Sequence, residues 1–255
     1  MSAAGDSNRL LEEARRLIDG ATQHGIVLRL LGGLAIGFLT PELPPRTRAG
    51  QDLDFGSVVS NRRALSDLLA ERGYEPDRNF NALYGNKQLY FAHPGTGLAV
   101  DVLLDKLHMC HTLEFADRLE RLPYTLDPMD LLLSKLQIVE LNEKDADDCL
   151  RLLVSFPLKE SEDPNAMDIR VFRSILSDDW GWWKTITLNL DRIRNVLADG
   201  ARPALAGGRL DPGVQLDALA AAAEQVPKTR RWKLRSRIGE RKRWYELPEE
   251  TPHDD

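Results

Sequence analysis

The chain has 255 residues, 42% hydrophobic and 29% charged, and a formal net charge of −6. That is enough to bury a substantial core, as one large or two smaller domains, and the expectation is two. Two cysteines, Cys110 and Cys149, are too few for a disulfide framework and lack a CxxC partner. The N-terminus has no apolar signal core, and no run approaches the roughly 20 apolar residues of a membrane span. A cytoplasmic protein in a reducing compartment is therefore expected.

In chain order, "NRLLEEARRLIDGATQHG" spaces Leu10, Leu11, Ala14, Leu17 and Ile18 as a helix that Gly25 ends. "IVLRLLG", Ile26 to Gly32, reads as a short buried strand, and Gly32 and Gly33 lead into "LAIGFL", the start of a buried helix. The proline-rich "TPELPPRTRAGQ" is a loop carrying Arg46 and Arg48. "DLDFGSVV" reads as a strand and "NRRALSDLLAERGY" as an amphipathic helix. "KQLYFAHP" and "LAVDVLLD" read as strands joined through "PGTG" as a hairpin. From about Asp127 onward the pattern is helical.

Charge is unevenly distributed. The stretch "KTRRWKLRSRIGERKR", Lys228 to Arg243, holds nine Lys or Arg against one Glu, a local +8 that leaves −14 on the rest of the chain. Such an arm suits either a neutralising clasp on its own acidic body or a nucleic-acid contact.

On a strand, side chains alternate faces, so Asp52 and Asp54 point one way while Leu53 and Phe55 point into the core. Asp101, flanked by Val100 and Val102, brings a third carboxylate if its strand lies beside theirs. Crowded like charges need an offsetting cation, and a divalent metal is the common solution; a solvated sheet face is the alternative for a DxD alone. Gly32 and Gly33, between strand and helix, either make a tight turn or let a phosphate approach the helix amides. No GxGxxG after a strand and no GxxxxGK[ST] occurs.

The order "LLGGLA", "DLDF", "VDVLLD" resembles the DNA polymerase beta-like nucleotidyltransferase superfamily over roughly Ile26 to Leu153. Within it, "RTRAGQDLDF" and "LLLSKLQIVELNEKDADDCLRLL" are similar to abortive-infection type nucleotidyltransferase toxins. The spacing from Gly33 to Asp52 is longer than in polymerase-like members, "GG" stands for the commoner "GS", and nothing after about Pro157 matches. The resemblance implies an α+β fold, with a nucleotidyltransferase domain over residues 1–126 and a mainly helical domain with a basic C-terminal arm over 127–255. It implies transfer of a nucleoside monophosphate from a nucleoside triphosphate, ATP among them, to an acceptor hydroxyl, with release of pyrophosphate. Two Mg²⁺ ions would be held by Asp52, Asp54 and Asp101, and Gly32, Gly33, Arg48 and Lys135 would bind the nucleotide. The acceptor in toxin-like relatives is tRNA, and an antitoxin protein is a further implied partner. A small-molecule acceptor such as an antibiotic, or a non-catalytic nucleotide- or partner-binding protein of the same fold, are the alternatives.

Lys135 falls within the apolar stripe of "DLLLSKLQIVEL", where it either snorkels to water or aims its charge at a triphosphate. In "EKDADD", Lys144 and Asp145 suit a helix start whatever the function, and Asp148 is a second inward candidate. "HMCH" lacks the further ligands of a zinc site, and Trp180, Trp182 and Trp183 suit core packing better than base stacking. On the arm, Arg230, Arg231, Lys233 and Arg235 are candidate contacts to an RNA acceptor, with Trp232 and Trp244 available to stack.

Overall fold

A computed structural model describes residues 3–45, 52–200 and 202–247. The chain forms two compact units, Met1–Leu107 with Glu114–Asp127, and His108–Leu113 with Pro128–Asp255.

In the first unit, α1 (Ala3–Gln23) buries Ala14, Leu17, Ile18 and Ala21, a helical stripe that packs on β1 and on α3. Gly25, at φ +68°, turns the chain out of the helix. β1 (Leu28–Leu30), α2 (Gly32–Leu39), β2 (Asp52–Ser57), α3 (Arg62–Glu71), β3 (Glu75–Pro76), α4 (Arg78–Tyr84), β4 (Gln88–Ala92) and β5 (Ala99–Leu104) follow. Five strands make one mixed sheet in the order β1-β2-β5-β4-β3. The β2–β5 pair is parallel, and the other neighbours are antiparallel. The hairpin through "PGTG" is present, with Ala92 opposite Ala99.

Two elements here carry no clear sequence signal. The seven residues of α4 are too few for a periodic pattern, and the helix stands on tertiary contacts. Asp77 caps it by accepting from the Phe80 amide at 2.8 Å, Phe80 is buried, and the Asn81 side-chain amide both donates to and accepts from the backbone of Tyr90. β3 is a two-residue edge strand containing Pro76, which the edge tolerates because no inner partner needs its missing N–H.

β6 (Lys106–His108) and β7 (Thr112–Glu114) pair as a short two-stranded sheet. The second unit contains α5 (Pro128–Leu136), α6 (Glu143–Ser155), β8 (Leu158–Lys159), β9 (Met167–Asp168), α7 (Ile169–Asp178), α8 (Trp180–Ala198), α9 (Pro212–Gln225) and α10 (Arg230–Ile238). Polar caps set the helix starts: Asn142, Asp168, Asp179, Asp211 and Thr229 each accept backbone amides of the turn that follows. The core is aliphatic and aromatic, with Leu131, Leu133, Leu152, Phe172, Ile186 and Leu216 fully buried. The parallel β8–β9 pair, two residues each, is too short to read from the sequence. The protein is therefore α+β, a mixed sheet with helices followed by a mostly helical part. Among the described residues no helix is long and apolar enough to cross a membrane.

Candidate active site

Alternation on β2 and β5 sorts the side chains. Leu53, Phe55, Val100 and Val102 are all 0% exposed, whereas Asp52 is exposed and Asp54 and Asp101 are half-buried on the opposite face. Because β2 and β5 are parallel and in register, Asp54 pairs with Asp101 across the ladder. The Asp101 Oδ2 accepts from Gln88 Nε2 of β4 at 2.6 Å, and Tyr90, directly opposite Asp101, lies on the same face. The Tyr90 hydroxyl has its pKa raised, first by burial and then by the charges of Asp52, Asp101 and Asp77.

Asp54 and the glycine pair meet. The Leu31 amide donates to the Asp54 carbonyl at 2.8 Å, so the chain enters α2 directly beside the aspartate. Gly32 opens that helix at φ +70°, and a Cβ there would lie 2.6 Å from Asp54 Oδ2. Glycine is required by the backbone conformation and by the carboxylate alike. The start of α2 therefore lies directly against the Asp54 carboxylate. Gly33 follows within α2, half-buried.

Three carboxylates are hard oxygen donors of the kind magnesium takes, and the β2–β5 register sets two of them side by side on an accessible face. The donor set fits the ion in chemistry and backbone placement. Among the described residues no three His, Cys, Asp or Glu side chains are grouped as a ready-made metal site. Gln88 holds Asp101, and Asp54 lies against the start of α2. Gln88 and Tyr90 escape a motif-based reading, although the alternation of "KQLYFAHP" already places both on the polar face. Arg46 and Arg48 lie outside the described residues. Ser57 is structural, donating to the Val27 carbonyl at 2.6 Å between β2 and the start of β1.

In the second unit Lys135 does not snorkel freely. Its ammonium pairs with Asp145 at 2.8 Å and Asp148 at 3.2 Å, joining α5 to α6. Burial alone would lower its pKa, but the two carboxylates outweigh that and raise it. The buried Cys149 thiol is pushed above its ordinary pKa, chiefly by burial.

The basic arm packs on α7 and α8. Arg231 pairs with Asp178 at 2.9 Å, Lys228 lies over the rings of Trp183 and Trp232 at 5.7 and 5.4 Å, and Lys184 pairs with Glu240 at 2.6 Å. Arg235 lies 4.8 Å over Trp180 and donates to the carbonyls of Gly239, Lys242 and Arg243. Arg230, Lys233, Arg237, Arg241 and Lys242 are exposed and make no ion pair among the described residues. The arm thus combines residues clasped to α7 and α8 with exposed cations that make no ion pair among the described residues. Trp180 and Trp182 are buried, and His111 stacks on Trp182 with ring centroids 5.0 Å apart.

No family model and no curated protein matches the chain. Among solved structures it is similar to a lincomycin-bound lincosamide antibiotic adenylyltransferase, LnuA, at 16% identity and TM-score 0.41 over 55% of this chain and 94% of that one. The antibiotic-resistance factor ANT(2'')-Ia matches at 13% identity and TM-score 0.41 over 66% of this chain and 93% of that one. An antigenic nucleotidyltransferase-like protein from Paracoccidioides brasiliensis matches at 13% identity and TM-score 0.40 over 90% of this chain and 96% of that one. With TM-scores no higher than 0.41, these likenesses assign neither a family nor a substrate.

Proposed function

We propose that the protein is a nucleotidyltransferase that moves a nucleoside monophosphate from a nucleoside triphosphate to an acceptor hydroxyl. The observation that supports this reading best is the joint placement of Asp54, in register with Asp101 on a parallel neighbour and in contact distance of the glycine that opens α2. Asp52, Asp54 and Asp101 would hold Mg²⁺, which when bound supplies Lewis-acid polarisation of the phosphoryl oxygens. Gly32 and Gly33, without side chains, would let a phosphate approach the start of α2 beside Asp54. Asp101, its carboxylate oriented by Gln88, takes the proton of the acceptor hydroxyl as that oxygen bonds to the α-phosphorus and pyrophosphate departs. Arg48, beyond the described residues, is assigned to the departing pyrophosphate. Lys135 is a candidate triphosphate ligand only if the nucleotide displaces Asp145 and Asp148 from its ammonium.

The exposed cations of the arm that make no ion pair among the described residues favour a polyanionic acceptor, and RNA, tRNA among its forms, is the acceptor assigned here. A small-molecule acceptor is the second reading, to be preferred if the arm proves irrelevant to turnover. The test incubates purified protein with each α-labelled nucleoside triphosphate, Mg²⁺, and separated RNA, protein and small-molecule fractions. Label in the RNA fraction, lost with Asp54→Asn, is expected. No label in any fraction would sink the transferase reading and leave a non-catalytic nucleotide-binding protein.

A further inference from the structure

After α10 the arm reverses at Gly239, whose φ of +57° suits glycine, and residues 240–246 run back past the start of α8. The return is fixed at several points. Arg235 grips the carbonyls of Gly239, Lys242 and Arg243. The Trp244 indole donates to Thr185 Oγ1 at 3.0 Å, and the Glu246 amide donates to the Cys110 carbonyl at 2.9 Å. Gly181 lets this happen, because a Cβ there would lie 2.5 Å from the Trp244 carbonyl oxygen.

Between the returning segment and α8 is a cavity of about 630 Å³, wholly within the second unit. That volume falls in the roughly 300–1,000 Å³ range of small-molecule sites. Trp180, Trp182, Trp244 and Tyr245 line it together with Lys242 and Arg243. A packing gap between helices would be lined by aliphatic groups, whereas here flat rings stand beside cations. Neither Lys242 nor Arg243 has a carboxylate partner among the described residues, and Arg243 rests over the Tyr245 ring at 5.8 Å. Of the carboxylates that line the cavity, Asp178 accepts from Thr229 and Arg231 and Asp179 accepts the Gly181 and Trp182 amides, while Glu246 is exposed and stands as the one competing anion at its rim.

We infer that this cavity binds one nucleotide unit, its base against the Trp244 and Tyr245 rings and its phosphate on Lys242 and Arg243. Base-on-aromatic stacking contributes about 1–3 kcal/mol per base and tolerates any base, and an Arg with a Lys recognises phosphate by charge-assisted hydrogen bonds. The unit comes either from a free mononucleotide or from the end of an RNA strand. The inference does not depend on transfer at Asp52, Asp54 and Asp101.

Intrinsic tryptophan fluorescence tests it on the full chain in EDTA, with Asp54→Asn protein as a parallel sample to set the first unit's carboxylates aside. Titrants are AMP, adenosine, inorganic phosphate and a 12-nucleotide RNA. Saturable quenching by AMP is expected, at least tenfold tighter than by adenosine or phosphate and equal in both proteins. The exposed double variant Lys242→Gln/Arg243→Gln should weaken AMP tenfold or more while leaving adenosine nearly unchanged, and Trp244→Leu should weaken both. If AMP displaces the RNA, the strand end shares the site; if both bind without competing, the ligand is the free nucleotide. Absence of saturable AMP quenching overturns the proposal, as does quenching that the double variant, folded by circular dichroism, leaves unaltered.

Discussion

A Cβ at Gly32 would lie 2.6 Å from the carboxylate oxygen Oδ2 of Asp54, which ties the glycine turn and the acidic strand into one feature. Gly32→Ala is then penalised twice, by a left-handed φ of +70° and by displacement of Asp54. It should cost about 1–2 kcal/mol in chemical denaturation and reduce transfer more than that loss explains. Gly33→Ala, at the next helical position, should be the milder change on both counts.

Asp54→Asn and Asp101→Asn should abolish transfer while leaving the thermal midpoint unchanged or slightly raised, since each relieves repulsion between neighbouring carboxylates. Gln88→Leu should act differently: it frees Asp101 Oδ2, so the pH–rate profile should shift while nucleotide affinity stays constant. Wild-type turnover in either aspartate variant would end the reading of this face as a site.

Lys135→Met should destabilise the protein by roughly 3–5 kcal/mol, because Asp145 and Asp148 are left buried without their cation. The combination Lys135→Met/Asp145→Asn/Asp148→Asn should recover most of it in urea titrations. Calorimetry on the triple variant then isolates function: unchanged triphosphate affinity would make Lys135 a link between α5 and α6 and nothing more.

His111 is buried, its Nε2 lies 2.8 Å from Thr185 Oγ1, and burial pulls its pKa down to about 4 despite the opposing charge of Asp179. Thr185 Oγ1 also accepts from the Trp244 indole, and its own proton is available to a neutral imidazole. A base with a depressed folded pKa lends stability that is complete above its unfolded value, near 6.5, and lost as pH falls towards about 4. The loss at full protonation is roughly 3 kcal/mol by the 1.36 kcal/mol per unit conversion. Urea midpoints measured from pH 7 to 4 should fall in wild type and fall less in His111→Gln.

RNA affinity should decline linearly in log–log form with salt, and Arg230→Gln/Lys233→Gln/Arg237→Gln/Arg241→Gln should flatten that slope by roughly 3, at about 0.7–0.9 per phosphate contact. These four are the appropriate set because Arg235 is occupied in holding three carbonyls and Arg231 in pairing with Asp178. Arg235→Gln should instead lower the thermal midpoint. If the quadruple variant binds RNA as tightly and as salt-dependently as wild type, the acceptor is not RNA.

The alternation of Leu53, Phe55, Val100 and Val102 with Asp52, Asp54 and Asp101 was enough to define two strands, their core faces and the carboxylate face, because side-chain period is a property of the local chain. Helical stripes behaved likewise in α1 and α3. What lay beyond the sequence is non-local. The parallel register of β2 and β5, the contact of Gly32 with Asp54, and Gln88 on Asp101 all depend on which strands become neighbours. Short α4 and β3 exist only because a neighbouring strand supplies their partners. Lys135 shows the same limit in electrostatic form. Its place in an apolar stripe was legible, but whether that charge met water, a phosphate or a carboxylate was decided by α6, ten residues and one turn of chain away, which brings Asp145 and Asp148 to it. Burial of a charge requires a partner, and only the folded chain supplies one.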